Sequence, residues 1–284
     1  MKTNILKAIL IGLIMTATGN VQANSSAAGT ASIFTPQQVS AFAKKVEQTL
    51  AEKGARVFLI SRVGIPEEEL PKGINYTHTA LAVYSEITTE DGNKAPGYAI
   101  YNLYQRDGQP DVSELVVDFP VDFFSSAHVM KAGIVIPVPK LQERLLRVIR
   151  SKTYSNLHNP NYSVLANPFK QKFQNCTGFV LNVLNAAIYQ TDDIEVIKAN
   201  TRAYFKPQRV DVGGFKLLLG SMFKPDIALS DHQGPVVTTT FGTITKYLEE
   251  YSLSQEHFTL TADTQTAGGP EQPGRHQVNS SDST

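Results

Sequence analysis

The amino-acid sequence predicts an α+β fold, in which helices flank a run of β-strands in one chain of 284 residues. Apolar residues recur at helical spacing after Thr35-Pro36, after Pro139 and from Cys176 to about residue 189. Between the first two of these segments lie several stretches rich in β-branched and aromatic residues, and Asp-Gly pairs mark turns between them. Together these patterns predict a sheet with helices packed against it.

The amino-acid composition argues against two kinds of partner, nucleic acid and the interior of a membrane. The chain carries 26 basic and 26 acidic side chains, and 42% of its residues are hydrophobic. A balanced charge without a basic cluster argues against a nucleic-acid surface. No internal stretch is long and apolar enough to span a bilayer.

The N-terminal segment has the pattern of a secretory signal peptide. Lys2 and Lys7 precede an uncharged apolar run, and Val21-Gln22-Ala23 supplies small residues for cleavage. The competing interpretation is an uncleaved membrane anchor. We expect a signal peptide at 1–23, a linker at 24–32, one domain at 33–260 and a disordered tail at 261–284. This organisation predicts a periplasmic or secreted protein with no stable membrane span after signal removal.

The first half of the domain is predicted to form one helix followed by strands. Thr35 is the expected N-cap, Pro36 the first helical residue, and Gly54 closes the helix. Strands are expected at 56–63, 76–84 and 97–104, the last two antiparallel, and shorter strand candidates at 115–118 and 134–136.

The second half of the domain is predicted to be mainly helical. Helices are expected after Pro139 and at 176–189, 192–204 and 241–251, and two apolar aromatic runs occur at 119–124 and 215–223.

Cys176 is the one cysteine of the chain and lies in the first turn of a predicted helix. Unpaired backbone N–H groups and the helix dipole favour a thiolate there. The alternative is that the thiol is simply a small buried hydrophobe. Exported proteins that use cysteine structurally tend to use it in pairs, so an unpaired thiol strengthens the interpretation as a catalytic nucleophile.

His78 is the histidine best placed to serve that thiol, because it lies in a clear strand where side-chain direction is fixed. Alternation puts His78, Ala80 and Ala82 on one face, and the small alanines leave room for the cysteine helix. In the next strand Asn102 could accept from the second ring nitrogen and orient the imidazole. The alternatives are a satisfied strand histidine and an ordinary polar residue.

Other chemistries lack a pattern in the sequence. No His, Cys, Asp and Glu cluster has metal-ligand spacing, and there is neither a G-x-S-x-G elbow nor a phosphate-binding glycine loop. We therefore expect no metal and no cofactor.

Four segments carry a resemblance to a known family. They are Arg62-Val63-Gly64, Tyr76-Thr77-His78, Tyr101-Asn102-Leu103-Tyr104 and Gln174-Asn175-Cys176-Thr177-Gly178-Phe179-Val180-Leu181. In this order they resemble the DUF2145 family of exported bacterial proteins over residues 33–260. The order also resembles the circularly permuted branch of the NlpC/P60 papain-like superfamily, in which the histidine strand precedes the cysteine helix.

The resemblance implies an antiparallel sheet or partial barrel packed on the cysteine helix. It implies Cys176 as nucleophile, His78 as base and Asn102 as the third, polar residue. Members of the wider group cleave cell-wall peptides or act on acyl groups of lipids.

Three functions remain open from the sequence. The first is an exported thiol hydrolase acting on an amide, peptide or ester bond, with cell-wall peptides as substrate. Its oxyanion would be held by the Cys176 backbone N–H and a donor from Gln174 or Asn175. The second is an acyltransferase or lipid hydrolase on the same residues, with Phe119, Phe123, Phe124 and the 215–223 run lining an acyl groove for a lipid-like substrate. The third is a non-catalytic binding module.

Overall fold

The structure, a computed structural model, describes residues 32–88, 91–211, 228–262 and 265–266. The predicted signal peptide and the aromatic run at 215–223 lie outside these residues. Within them, no helix is long and apolar enough to cross a membrane.

Nine strands are present in the described residues. They are β1 (Val57–Val63), β2 (His78–Thr88), β3 (Lys94–Arg106), β4 (Gln109–Asp118), β5 (Val129–Pro137), β6 (Gln208–Arg209), β7 (Val237–Thr238), β8 (Ser254–Thr261) and β9 (Gln265–Thr266).

Seven helices accompany them in the same residues. They are α1 (Pro36–Glu52), α2 (Pro120–Ser125), α3 (Pro139–Ile149), α4 (Lys152–Asn156), α5 (Cys176–Tyr189), α6 (Ile194–Tyr204) and α7 (Phe241–Glu250), with a 3₁₀ turn at Glu67–Glu69.

The main sheet is antiparallel, as the sequence predicted. Its order is β4-β3-β2-β1-β5-β8-β9, and β6 and β7 form a separate two-stranded sheet. Every neighbouring pair of the main sheet is antiparallel. Helices and an antiparallel sheet make this an α+β fold. The sequence assigned no strand to β8, and β9 lies in the segment expected to be a disordered tail.

Two hydrophobic cores lie on opposite faces of the sheet. On one face, Leu59 and Leu81 pack with the side chains of α3, α5 and α7. On the other, Phe58, Ile60 and Ala80 pack with α1 and α2. Strand alternation produces this division, because successive side chains point to opposite faces.

The helix that begins at Cys176 is almost wholly buried. Cys176 through Ala187 are all buried in α5, which runs along the sheet between α3 and α6. Asn175 caps its first turn, since its side chain accepts the Gly178 N–H. A Cβ on Gly178 would lie 2.9 Å from Asn175 Oδ1, so the close approach of this cap favours glycine. The sequence predicted the bounds of this helix correctly.

Candidate functional site

A chain of buried polar side chains begins at His78 on the first residue of β2. His78 Nε2 lies 2.9 Å from Asn102 Oδ1. Asn102 Nδ2 donates to Asp118 Oδ1 at 2.7 Å and to the Ile100 carbonyl at 3.2 Å. Because the Asn102 amide nitrogen faces these acceptors, its oxygen faces the imidazole, and His78 Nε2 is the ring nitrogen that carries the proton. His78 Nδ1 is then the basic nitrogen.

Tyr104 and Phe123 hold the imidazole from its sides. The Tyr104 ring stacks on His78 with centroids 4.8 Å apart, and the Phe123 ring of α2 lies 5.7 Å away. The Tyr104 hydroxyl donates to Asp118 Oδ2 at 2.8 Å. The two oxygens of Asp118 therefore each accept a hydrogen bond from β3, and the imidazole, the amide and the carboxyl form one network.

Burial controls the charges in this network. It lowers the pKa of His78 to about 3, with a further contribution from the nearby Arg62 charge, so the imidazole is neutral near pH 7. Burial raises the pKa of Asp118 to about 7, although Tyr104 and Asn102 donate to it. His78 is 1% exposed and Asn102 is fully buried.

Cys176 lies where β2 and β3 separate. The β2–β3 ladder begins at Leu81 and Tyr101, three residues into β2. The backbone N–H of Thr79, next to His78 in the chain, lowers the pKa of the Cys176 thiol, and the backbone N–H groups of Thr177 and of Cys176 itself act in the same direction. These donors and the Arg62 charge lower the pKa of the thiol, but burial has the larger effect and raises it. The thiol is 5% exposed.

The His78 side chain and the body of α5 lie on different faces of β2. His78 shares its face with Ala80 and packs on Phe123 of α2, whereas α5 covers the face of Leu81. The expectation that the His78 and Ala80 face packs against the cysteine helix was therefore wrong: α1 and α2 cover it. Alternation shows which residues share a face but not which helix covers that face. The catalytic pairing of Cys176 with His78 stays a prediction.

The side-chain amides of both predicted oxyanion residues are engaged with the loops around α5. Gln174 Nε2 donates to the Leu157 carbonyl at 3.0 Å. Asn175 Nδ2 donates to the Val164 carbonyl at 2.8 Å and to Thr238 Oγ1 at 3.1 Å. Both side chains fix the loop that leads into α5, so the backbone N–H groups at the start of that helix are the better candidates for oxyanion donors.

The aromatic residues expected to line an acyl groove mostly belong to the core. Phe123 and Phe124 are fully buried, and Phe124 packs edge-on against Phe42 of α1 with centroids 4.8 Å apart. Phe119 is 41% exposed, at the N-cap of α2. These contacts give Phe123 and Phe124 a structural role.

Three of the other described histidines have side-chain partners elsewhere. His158 Nε2 lies 3.0 Å from Ser113 Oγ, on the α5 side of the sheet, and His257 pairs with Glu249. His232 lies beside Asp231 and Asn167 in a loop. No group of three or more His, Cys, Asp or Glu side chains in the described ranges could hold a metal ion.

The sequence analysis did not identify three residues of the candidate site, namely Arg62, Tyr104 and Asp118. Arg62 lay in a segment that carried the resemblance, yet no role was given to it. A charged residue inside the apolar strand 57–63 was the available signal, because arginine is rarely fully buried. Asp118 ends the strand beside Asn102, and pairing of Asn102 with Val116 in the β3–β4 ladder could not be read from the sequence.

The fold and the site define an α+β protein with an antiparallel sheet, a buried histidine network, and a lone cysteine at the start of a buried helix. The chain belongs to the family described as "Uncharacterized protein conserved in bacteria (DUF2145)", whose sequence profile matches residues 49–248. No curated protein and no solved structure matches the chain.

Proposed function

We propose that this protein is an exported thiol hydrolase that cleaves an amide, peptide or ester bond, with cell-wall peptides as the substrate class. The observation that carries the proposal is the hydrogen bond between His78 Nε2 and Asn102 Oδ1, next to a helix that begins at a lone cysteine. The bond directs Nδ1 away from Asn102, as a base for sulfur requires. The order of histidine strand and cysteine helix resembles the permuted papain-like group.

The proposed reaction proceeds through an acyl-enzyme. His78 Nδ1 takes the proton of the Cys176 thiol, and the sulfur attacks the carbonyl carbon. The oxyanion accepts hydrogen bonds from the Cys176 backbone N–H and a second backbone donor. The imidazolium then protonates the leaving amine or alcohol as its bond to carbon breaks, and water, deprotonated by His78, releases the acid.

The start of β2 is the segment through which the sulfur and the imidazole would meet, because the Thr79 N–H that acts on the thiol follows His78 directly in the chain. The first residues of β2 lie outside the β2–β3 ladder. Fewer backbone hydrogen bonds hold this segment than hold the middle of the strand, so this is where the sheet opens at least cost.

Turnover of cell-wall peptide fragments tests the proposal. We expect Cys176→Ala to reduce turnover at least about a thousandfold relative to the wild type, as loss of a covalent nucleophile does. His78→Gln should do the same, whereas Arg147→Gln, an exposed change on α3, should retain activity. Equal turnover by the wild type and Cys176→Ala would remove the catalytic role.

Burial of the thiol favours one competing function, a non-catalytic binding module. A thiol that is 5% exposed, with its pKa raised by burial, is unreactive as it stands. Alkylation of the wild-type protein by iodoacetamide separates the two functions, since Cys176 is the one cysteine of the chain. A rate no faster than that of free cysteine, with no turnover of any fragment, would favour the binding module.

A further inference from the structure

Arg62 is a fully buried cation that has no carboxylate within ion-pair distance in the part of the chain that the structure describes. It is 1% exposed, and its Nε and Nη1 atoms have no hydrogen-bond partner among the described residues. It takes part in none of the ion pairs found there. A buried charge that lacks a partner destabilises the folded state strongly. A position this costly calls for an anion that Arg62 stabilises at some stage.

The neighbours of Arg62 are aromatic rings and the His78 network. Arg62 pairs with His78 in the β1–β2 ladder, so the two side chains share a face. Its guanidinium carbon lies 5.2 Å from the centre of the Phe123 ring and 6.0 Å from that of Tyr104. These contacts accommodate the cation but supply no negative charge.

Besides the phenol of Tyr104, two acidic groups have their pKa lowered by the charge of Arg62. One is Asp118, whose oxygens already accept from Asn102 and Tyr104 and whose pKa burial raises to about 7. The other is Cys176, whose pKa is also lowered by the N–H of Thr79, beside the ladder partner of Arg62. A thiolate there would accept hydrogen bonds from a strand N–H and from the first turn of α5, which suits an anion.

Among the described residues, Arg62 is the cation whose charge acts on Cys176. Strand β1 contributes Arg62 to the surroundings of the thiol, and β2 contributes the uncharged Thr79 and the neutral His78. The loop before α5 contributes the Tyr162 hydroxyl. The segment before α7 contributes uncharged threonines, through the bond from Thr177 Oγ1 to the Thr239 carbonyl. Beyond Arg62 lie Tyr104 and Asp118.

We propose that Arg62, rather than His78, supplies the positive charge that offsets the cost of ionising Cys176. Arg62 is thus a positioning residue that acts through the sulfur, and this role rests on the proposed thiol chemistry. The thiolate forms under a permanent cation and backbone donors, and a neutral imidazole serves as the proton acceptor. Ionisation of the thiol therefore does not depend on a preformed imidazolium.

Titration of the single thiol tests this assignment without any substrate. Iodoacetamide alkylation and ultraviolet absorbance of the thiolate would be followed from about pH 6 to about pH 10, which brackets an ordinary thiol pKa. We expect Arg62→Met to lower the thiolate fraction at a given pH by about tenfold, the change that one pH unit produces. Arg62→Lys should restore much of that fraction. His78→Gln should alter it by less than about twofold, because the imidazole is uncharged over this range.

A matched control variant and a check that each variant folds make the result interpretable. Lys198 is a buried cation on α6 that donates to the Pro168 carbonyl and to Asn182, so Lys198→Met removes a buried charge elsewhere and should leave the thiol titration unchanged. Circular dichroism identifies any variant that fails to fold, and Arg62→Lys then carries the comparison. A thiol that titrates alike in wild type and Arg62→Met, or that loses its thiolate in His78→Gln instead, would overturn the assignment. Absent turnover by the wild type would instead contradict the hydrolase.

Discussion

At the scale of single residues, Asn102 is the connection on which the site depends. Its amide contacts an imidazole, a carboxyl and a backbone carbonyl, and all of its surface is buried. Its donor lowers the pKa of Asp118 while its acceptor raises that of His78. An amide can do both at once because one end donates and the other accepts.

Replacement of Asn102 by leucine should therefore shift both titrations. We expect Asn102→Leu to raise the pKa of Asp118 above about 7 and to lower that of His78 further, because each group loses its partner. It should also cost about 1–3 kcal/mol for each buried group left unsatisfied. NMR titration of the labelled carboxyl and imidazole would measure the shifts, and urea unfolding would measure the stability.

Asn185 provides the control for that substitution. It is also a fully buried amide, bonded to Thr201 and Tyr247 on the α5 side. Asn185→Leu should lose similar stability yet leave both titrations in place. If Asn102→Leu behaved the same way, the amide would be a structural residue only.

At the scale of elements, the first turn of α5 is held by one side chain. Asn175 Oδ1 accepts the Gly178 N–H at 2.8 Å, and its amide nitrogen ties the helix start to the Val164 carbonyl and to Thr238 of β7. The cap thus fixes the helix to two loops as well as to itself. Any loosening here moves the Cys176 backbone N–H directly.

Asn175→Ala should accordingly cost more than loss of an ordinary cap. We expect about 2–3 kcal/mol, of which about 1 kcal/mol is the cap and the rest the two amide donors. Asp193→Ala, at the exposed cap of α6, should cost only about 1 kcal/mol. Urea unfolding would compare them, and Cys176 should alkylate faster in Asn175→Ala. Equal losses in the two variants would show that the donors to Val164 and Thr238 contribute nothing.

Helix α5 also shows which structural features could be predicted from the sequence and which could not. Its bounds were predictable because Asn175, Gly178 and a continuous apolar run are local signals. The contact between His78 and Asn102 was predictable because their two strands were expected to be antiparallel neighbours, and the two side chains lie within hydrogen-bond distance. The face of the sheet that α5 covers was not predictable, since alternation is symmetric between the faces until long-range packing decides. Strand β8 was missed because its residues, 254–261, are largely polar and pair with β5 at a distance in sequence.

At the scale of the whole molecule, two buried groups set opposing dependences of stability on pH. His78 has a pKa of about 3 in the folded state, below its ordinary value of 6.5, so the stability it contributes is present above pH 6.5 and is lost as the pH falls toward 3. Asp118 has a folded pKa of about 7, above its ordinary 3.8, so its contribution is present below pH 3.8 and is lost as the pH rises toward 7. Each amounts to something on the order of 3–5 kcal/mol, since one pKa unit is worth about 1.4 kcal/mol.

These opposing contributions should largely cancel in the wild-type protein between about pH 4 and about pH 6.5, and single substitutions should expose each of them. His78→Gln removes the titrating imidazole, so we expect its stability relative to wild type to fall as the pH rises through this window. Asp118→Asn removes the carboxyl, so its relative stability should rise with pH over the same window. Urea midpoints measured at several pH values would give both slopes, and His257→Gln and Asp111→Asn, at exposed positions, should follow the wild type. Slopes of the same sign in the two site variants would mean that burial does not set the pKa values of these two groups. The proposed chemistry would then lose its basis, because it depends on an imidazole that is neutral.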